Sequence, residues 1–363
     1  MIIQGFTQTP RQSTSADRTD PVPVPPEMSV ALPSTFQPAH ALDRAFQHLN
    51  RHLDRMLDCS AEISRRMDNL ATEGGLAMNL AEVLEFVHAK RTRSQLWTLQ
   101  LRQCAAAIGC CMNAVDETQR RTLIDRQGEI LQDLKAFLDK DKPVEIAEAL
   151  DATINSSDDF FEKLLELIDL IKNGYLAGYE HIISAYSDFF ADFNAQITAQ
   201  MKDWIEGAND GKEVKLNAGA LRAALNNLIA QYTHPNPASV LFPEPGQGGA
   251  CKDEAEKWRK AMGLPASCLK PNADGTWCVV IDTGPLTIMK NSLSSSDGTV
   301  TWDTAKYNQW QTGFNAQEEI MKNLLQSLTQ KYSNANSYHD NFNKTLSAHL
   351  NQFADMLRAM LNF

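Results

Sequence analysis

Residues 303–363 read DTAKYNQWQTGFNAQEEIMKNLLQSLTQKYSNANSYHDNFNKTLSAHLNQFADMLRAMLNF, without proline and with a single glycine, Gly313. Apolar or small residues recur at intervals of three and four, the spacing of a helix face and, when sustained, of a coiled-coil seam. A first register runs from Trp310 to Leu328. A second register, which we call the C-terminal seam, consists of Leu325, Leu328, Tyr332, Ala335, His339, Phe342, Leu346, His349, Phe353, Met356 and Met360.

A helix over this stretch is roughly 90 Å long and needs a partner of similar length to cover its apolar face. Residues 158–206 also lack proline and carry the same spacing, so they are the predicted partner. Ser156 or Ser157 can cap this second helix at its start. Gly174 and Gly178 interrupt it and indicate a kink or a close helix approach, with a functional hinge as the alternative.

The sequence therefore predicts a mainly α protein with a small α/β insert. A long antiparallel intramolecular coiled coil carries an N-terminal helical hairpin, and a mixed α/β domain is inserted between the two long helices. The predicted segments are a disordered tail at 1–38, the hairpin region at 39–152, the first long helix at 153–206, the insert at 207–302 and the second long helix at 303–363. Composition does not distinguish a plain flexible tail at 1–38 from one that carries an uncleaved export signal.

The hairpin prediction depends on two helical patterns, over 39–70 and 76–112, which are separated by Gly74-Gly75. A shorter helix follows at 120–138. The insert is predicted to hold strands at 213–216, 276–282 and 299–301, and helices at 217–232, 253–262 and 286–293. Asn217 is predicted to cap the first of these helices, and Asp303 the last helix of the chain.

Composition excludes several classes of protein. The net charge of -11 argues against nucleic acid as a partner, because phosphate contacts need a basic face. No apolar run approaches the ~18 residues of a membrane-spanning helix, and the N-terminus lacks the pattern of a classical signal peptide. Seven cysteines without Cys-x-x-Cys spacing argue against a disulfide framework, and Cys268 and Cys278 are predicted to be buried free thiols rather than a disulfide.

No catalytic, metal or cofactor motif is found. Walker, dinucleotide, zinc-protease and nucleophile-elbow patterns are all missing from the sequence. His339 and His349 lie ten residues apart on the seam, too far apart to share a metal ion, and are predicted to be core or rim residues. The residues by themselves thus indicate a binding or structural protein and no enzyme.

Several stretches resemble one known family. They are QKYSNANS at 330–337 within a longer similarity over 302–342, VLFP at 240–243, and LP at 264–265 followed by SCLK at 267–270. Together they resemble the invasion-type needle-tip proteins of type III secretion systems, the IpaD/SipD/BipD group. Helical periodicity does not dictate a polar string such as QKYSNANS, so the similarity is specific.

The resemblance implies a protein exported through the secretion apparatus that caps the needle as about five copies. It would control secretion and serve as a platform for the translocon pore during host-cell contact. Its implied partners are the needle subunit, a hydrophobic translocator protein, further copies of itself and, as in enteric members, bile salts. The N-terminal hairpin would act as a self-chaperone that covers the needle-binding surface.

The resemblance also directs attention to a partner-binding surface on the last helix. We expect it to comprise Gln330, Lys331, Asn334, Asn336, Ser337, His339, Asn341, Phe342, Leu346, His349 and Phe353. The alternative is that Tyr332 and Ala335 are core residues and the asparagines only a solvated face. Two other functions stay open: a secreted coiled-coil effector or toxin without enzymatic activity, and a cytosolic coiled-coil chaperone or adaptor.

Overall fold

A computed structural model describes residues 38–72, 76–140, 143, 145–146, 153–293 and 298–361. The predicted tail, apart from Pro38, and the Gly74-Gly75 turn lie outside these residues. The helices are α1 (Pro38–Thr72), α2 (Leu76–Met112), α3 (Glu117–Lys140), α4 (Ser157–Asp169), α5 (Ala177–Gln196), α6 (Met201–Trp204), α7 (Ala218–Gln231), α8 (Lys252–Met262), α9 (Gly284–Asn291) and α10 (Thr304–Leu361).

The antiparallel coiled coil of the prediction is confirmed. Along α5 and the segment before it, Phe193 stacks on Phe314 with ring centroids 6.5 Å apart, and the Tyr186 hydroxyl donates to the Met321 carbonyl at 3.3 Å. Farther back, the rings of Tyr175 and Tyr338 meet edge to face at 6.0 Å. One residue number falls as the other rises, so the two helical segments run in opposite directions.

The first long helix is less regular than predicted. Ser156 caps it, accepting a hydrogen bond from the Asp159 amide at 3.1 Å. A π-helical segment, Leu170–Leu176, then separates α4 from α5, and Gly174 lies inside it. A π turn holds an additional residue and so rotates the buried face of the next helix, which a three-and-four count does not detect.

The same helix also ends earlier than its predicted limit at Glu206. Its regular part stops at Gln196, and Ile205 adopts extended backbone (φ -118°, ψ 125°) opposite Leu216 in a strand. Pairing of this β-branched residue within a sheet overrides the helical pattern that continues up to it.

Gly178 confirms the close approach expected of it. A Cβ atom at this position would lie 2.6 Å from the Trp258 indole, which projects from α8 of the insert. Gly178 therefore allows the inserted domain to pack directly onto α5.

The insert contains two small antiparallel sheets. Strands β1 (Ile205–Ala208), β2 (Glu213–Asn217) and β6 (Thr299–Asp303) form one sheet in the order β1-β2-β6. Strands β3 (Val240–Phe242), β4 (Leu269–Pro271) and β5 (Trp277–Val280) form the other in the order β3-β5-β4. The predictions of β2, β5, edge strand β6 and helices α7 to α9 are confirmed, whereas β1, β3 and β4 were not predicted.

The predicted caps at the starts of α7 and α10 are both present. The Asn217 side chain accepts from the Ala220 amide at 3.1 Å at the start of α7. The Asp303 carboxylate accepts from the Lys306 amide at 2.8 Å at the start of α10. The side-chain oxygens thus satisfy amide groups that have no partner within their own helices.

The predicted N-terminal hairpin is the antiparallel pair α1 and α2. Arg66 forms an ion pair with Glu82 at 2.6 Å, and its guanidinium lies over the Phe86 ring at 4.4 Å. Near the middle of the pair, Arg93 donates to the Arg55 carbonyl at 3.5 Å. The pair buries its apolar faces against the coiled coil, because a two-helix hairpin has no core of its own.

Candidate docking surface

The second half of α10 is enclosed by other helices. Its seam residues Phe342, Leu346 and Phe353 are fully buried in one cluster with apolar side chains of α1, α2, α3 and α4. On α3, the Phe137 ring lies 6.3 Å from that of Phe342, and the Tyr338 hydroxyl donates to the Leu138 carbonyl at 3.5 Å. The hairpin and α3 together cover the apolar part of the surface that the sequence proposes for a partner.

The predicted site residues separate into two sets. The exposed set on α10 consists of Gln330, Asn334, Ser337 and Asn341, with Lys331 and His349 half-buried. The buried set consists of Asn336, His339, Phe342, Leu346 and Phe353. Tyr332 and Ala335 are buried core residues, as the alternative interpretation expected, but Asn336 is buried as well and is not part of a solvated face.

A polar stripe runs beside the apolar seam on the face of α10 that meets the hairpin. It consists of Asn336, His339, Asp340, Asn343, Ser347 and Asn351. All of them except the half-buried Asn351 are buried. The prediction of His339 as a core residue is confirmed, but it is one member of a hydrogen-bonded set and not an isolated histidine.

Lys90 of α2 lies at one end of this stripe and is only 1% exposed. Its ammonium donates to Oδ1 of Asn336 and, at 2.6 Å, to Oδ1 of Asp340. Beside it, Ser94 Oγ lies 3.5 Å from Nε2 of His339, and the Asn343 amide nitrogen lies 3.0 Å from the same atom. The hairpin is thus held to α10 by a buried ammonium between two acceptors. Burial lowers the pKa of Lys90 below its usual value, and the charge and hydrogen bond of Asp340 oppose that shift.

The contacts of α1 continue the stripe toward the end of the chain. Ser347 donates to Oδ1 of Asn50 at 3.1 Å, and the amide of Asn50 donates to Oδ1 of Asn351 at 3.1 Å. Beyond them, Arg358 donates to Asp43 at 2.5 Å. Such pairs favour one register between hairpin and helix, because a slip would leave partly buried polar groups unpaired.

Burial shifts the ionisation of two groups near Lys90 in opposite directions. It lowers the pKa of the His339 imidazole to about 4, so the ring is neutral at pH 7. It raises the pKa of the Glu180 carboxyl on α5 to about 7. Lys90, Asp340 and Lys172 face the imidazole, and Arg91, Lys90 and Glu244 face the carboxyl.

These two shifts predict opposing effects of pH on stability. Between pH 4 and 6.5 the unfolded chain binds more protons at His339 than the folded chain does, so its contribution to stability rises with pH. Between pH 4.5 and 7 the folded chain binds more protons at Glu180 than the unfolded chain does, so the contribution of Glu180 to stability falls as pH rises. The two effects largely cancel where the ranges overlap.

We therefore expect Glu180→Gln to show a free energy of unfolding that increases by about 2–3 kcal/mol from pH 4.5 to 6.5 relative to the unsubstituted chain. For His339→Asn, the free energy of unfolding relative to the unsubstituted chain should instead decrease over the same pH range. Urea unfolding at several pH values measures both. Parallel curves for all three proteins would contradict the prediction.

Sequence reasoning did not find Lys90, Asp340, Asn343 or Ser347. A signal was present on α10, since Asn336, Asp340, Asn343 and Ser347 repeat in steps of four, three and four beside the apolar seam. Polar residues at helical spacing are more often solvent-facing, so only the position of the hairpin distinguishes this stripe from an exposed one.

The cysteines agree with the prediction from the sequence. All seven cysteines are free, and Cys268 and Cys278 are buried thiols as predicted. Burial raises the pKa of the Cys104 and Cys268 thiols to about 12, which keeps them protonated and unreactive.

Among the described residues, no helix combines the length and apolarity needed to cross a bilayer.

Comparison with known proteins gives a family match over most of the chain. A model of type III secretion systems tip complex components matches residues 103–361. The chain is 39% identical to the cell invasion protein SipD of Salmonella typhi over 214 residues, which are 58% of this chain and 62% of that protein. It is 35% identical to invasin IpaD of Shigella flexneri over 208 residues, 56% of this chain and 60% of that protein.

The matched part thus spans less than two thirds of these relatives. A solved structure extends the likeness of fold farther. The pathogenicity island 1 effector protein from Chromobacterium violaceum superposes with a TM-score of 0.60 at 29% identity, over 88% of this chain and 97% of that one. The likeness of fold therefore covers more of the chain than the matches to SipD and IpaD do.

Proposed function

Because this chain belongs to the type III secretion systems tip complex components, we propose that it is the needle-tip protein of such a system. In this role it caps the needle, controls secretion and serves as a platform for the translocon pore during host-cell contact. The role is structural and uses no catalytic group. It requires export through the secretion apparatus and a position on the bacterial surface at the needle tip.

One observation carries most of the proposal, namely the covered second half of α10. Its apolar seam residues Phe342, Leu346 and Phe353 would form an exposed association surface if the hairpin and α3 did not cover them. In this role the hairpin covers the surface before export and separates from it at the needle, where the surface becomes accessible. The needle subunit is the proposed partner for it, and a hydrophobic translocator and about five copies of the chain itself are the proposed partners at the tip.

Free thiols support the export step. A chain that passes through a narrow channel must unfold, and seven unlinked cysteines place no covalent constraint on unfolding. The hairpin likewise can separate from α10 without breaking a covalent bond.

The test restrains the hairpin in the full chain. Asn50 of α1 and Asn351 of α10 are in hydrogen-bond contact at 3.1 Å, so Asn50→Cys with Asn351→Cys can be joined by a short bis-maleimide. The exposed Cys110 and Cys251 are first replaced by serine. We call the chain open when the hairpin has separated from α10. We expect cross-linking to weaken binding of the purified needle subunit by about 10-fold or more, because the subunit binds only the open fraction of the chains.

The matched control carries the same cross-link within one helix, at Glu117→Cys and Arg121→Cys of α3, whose side chains already pair at 3.3 Å. It should bind the needle subunit as the uncross-linked chain does. If the hairpin cross-link leaves affinity unchanged, the last helix is not the docking surface. If no form binds, a secreted effector without enzymatic activity becomes the better interpretation.

A further inference from the structure

The covered half of α10 presents two faces of different chemistry. Toward α3 it presents apolar seam residues such as Phe342, whose ring lies 6.3 Å from that of Phe137. Toward the hairpin it presents the polar stripe, in which Asn336, Asp340 and Ser347 are all hydrogen-bonded to α1 or α2. Buried polar contacts specify a partner more than they stabilise it, because desolvation offsets much of their attraction. The hairpin face is therefore suited to a partner that is recognised and then exchanged.

Asp340 is the group of this stripe that depends most on a partner. Its residue is 7% exposed, and its carboxylate accepts from Lys90 at 2.6 Å. Burial alone would raise the pKa of this carboxyl, but the hydrogen bond from His339 and the charge of Lys90 hold it below its usual value. The group is thus a buried anion. When the hairpin leaves, Lys90 leaves with it.

Any helix that packs on this face in place of the hairpin buries the carboxylate again. An apolar or acidic side chain opposite Asp340 would leave a buried charge without a partner, which is strongly unfavourable. The two acceptors, Oδ1 of Asn336 and Oδ1 of Asp340, converge on the single nitrogen of Lys90. Convergence on one atom matches a lysine ammonium better than the forked guanidinium of arginine.

We propose that Asn336 and Asp340 form a recognition site for one lysine side chain of the helical partner that replaces the hairpin, and that Lys90 occupies this site in the closed chain. The inference rests on the proposed function, since it takes the needle subunit as that partner. It deepens that function by stating the chemistry that the subunit must present. Lys90 is then an internal competitor for the site.

The experiment uses two variants of the full chain and the purified needle subunit. Lys90→Met removes the internal occupant and keeps the site, so binding should become about 10-fold tighter or more, because the open fraction rises. Lys90→Met with Asp340→Leu removes occupant and site together and leaves an apolar contact. We expect this double variant to bind about 100-fold more weakly than Lys90→Met, since the lysine of the subunit is buried unpaired.

Two controls separate recognition from opening. Hydrogen exchange of the α1 amides in each variant reports the open fraction, by which each affinity is corrected. Glu319→Leu removes an exposed carboxylate from the same helix far from the site and should leave affinity unchanged. A fold change that persists after correction belongs to the site itself.

The partner side of the contact can be located in the same assay. Each lysine of the needle subunit is replaced singly by methionine. One replacement should weaken binding to the Lys90→Met chain by about 100-fold and cause no further loss with the double variant, which is the signature of a direct pair.

The outcomes distinguish the two proposals. If Lys90→Met and the double variant bind the subunit equally after correction, the recognition site is refuted while the needle-tip function stands. If no variant binds the subunit, including Lys90→Met with its loosened hairpin, the proposed function fails and the recognition site with it.

Discussion

Lys90→Met is expected to lower the free energy of unfolding by about 3–5 kcal/mol, because it leaves the Asp340 carboxylate buried without its cation. The Lys90 side chain is 1% exposed, so solvent does not screen the loss. The hydrogen bond to Asn336 is lost at the same time. Chemical denaturation followed by circular dichroism measures the change.

Two further variants make this prediction specific. Lys90→Met combined with Asp340→Leu should recover most of the lost stability, since apolar side chains can replace a buried ion pair at little cost. Lys140→Met on α3 removes an exposed lysine and should change the free energy of unfolding by no more than about 0.5 kcal/mol. A loss below about 1 kcal/mol for Lys90→Met would mean that the pair does not hold the hairpin to α10.

Phe342→Ala is expected to lower the free energy of unfolding by a similar amount, about 3–5 kcal/mol. The ring is fully buried in the cluster that joins α10 to α3 and α4, and the Phe137 ring lies 6.3 Å away. Truncation removes apolar contact and leaves a cavity that the surrounding helices only partly fill. Urea unfolding of the variant and of the unsubstituted chain measures the difference.

The adjacent residue supplies the control. Asn341 was predicted to share the partner-binding surface with Phe342, but its side chain is exposed. Asn341→Ala should therefore change stability by no more than about 0.5 kcal/mol. If both substitutions were equally mild, the second half of α10 would not be packed beneath the hairpin and α3, and the docking proposal would lose its basis.

The two variants also differ in what they say about binding. Asn341→Ala leaves the closed chain intact, so any loss of affinity for the needle subunit reflects a direct contact. Phe342→Ala loosens the cover and damages the surface together, so its affinity has to be corrected for the open fraction.

The sequence alone determined the main helices, because their patterns are long and local. The spacing from Trp310 to Met360 predicted α10 almost to its ends at Thr304 and Leu361. The two glycines near residue 74 separated the predicted hairpin helices, and Asn217 and Asp303 identified helix starts by capping chemistry. Each of these sequence features affects the conformation of the backbone only a few residues away, so it can be recognised without the tertiary structure.

Short strands and the π-helical segment were decided by tertiary structure. Strands β3 and β4 contain three residues each, and Val240 pairs with Val280 while Lys270 pairs with Cys278. Three residues carry too little periodicity to indicate a strand, so the partner across the sheet determines the conformation. The Leu170–Leu176 segment likewise depends on the helices packed around it.

The candidate site shows the same division. The heptad spacing identified Phe342, Leu346 and Phe353 as a buried seam, because apolar periodicity is a property of one helix. It did not identify the Lys90 site, because the atoms that meet there are 246 and 250 residues apart along the chain. A lysine on an amphipathic helix is ordinarily solvated, and only the packing of α2 on α10 removes Lys90 from water and brings it to Asn336 and Asp340.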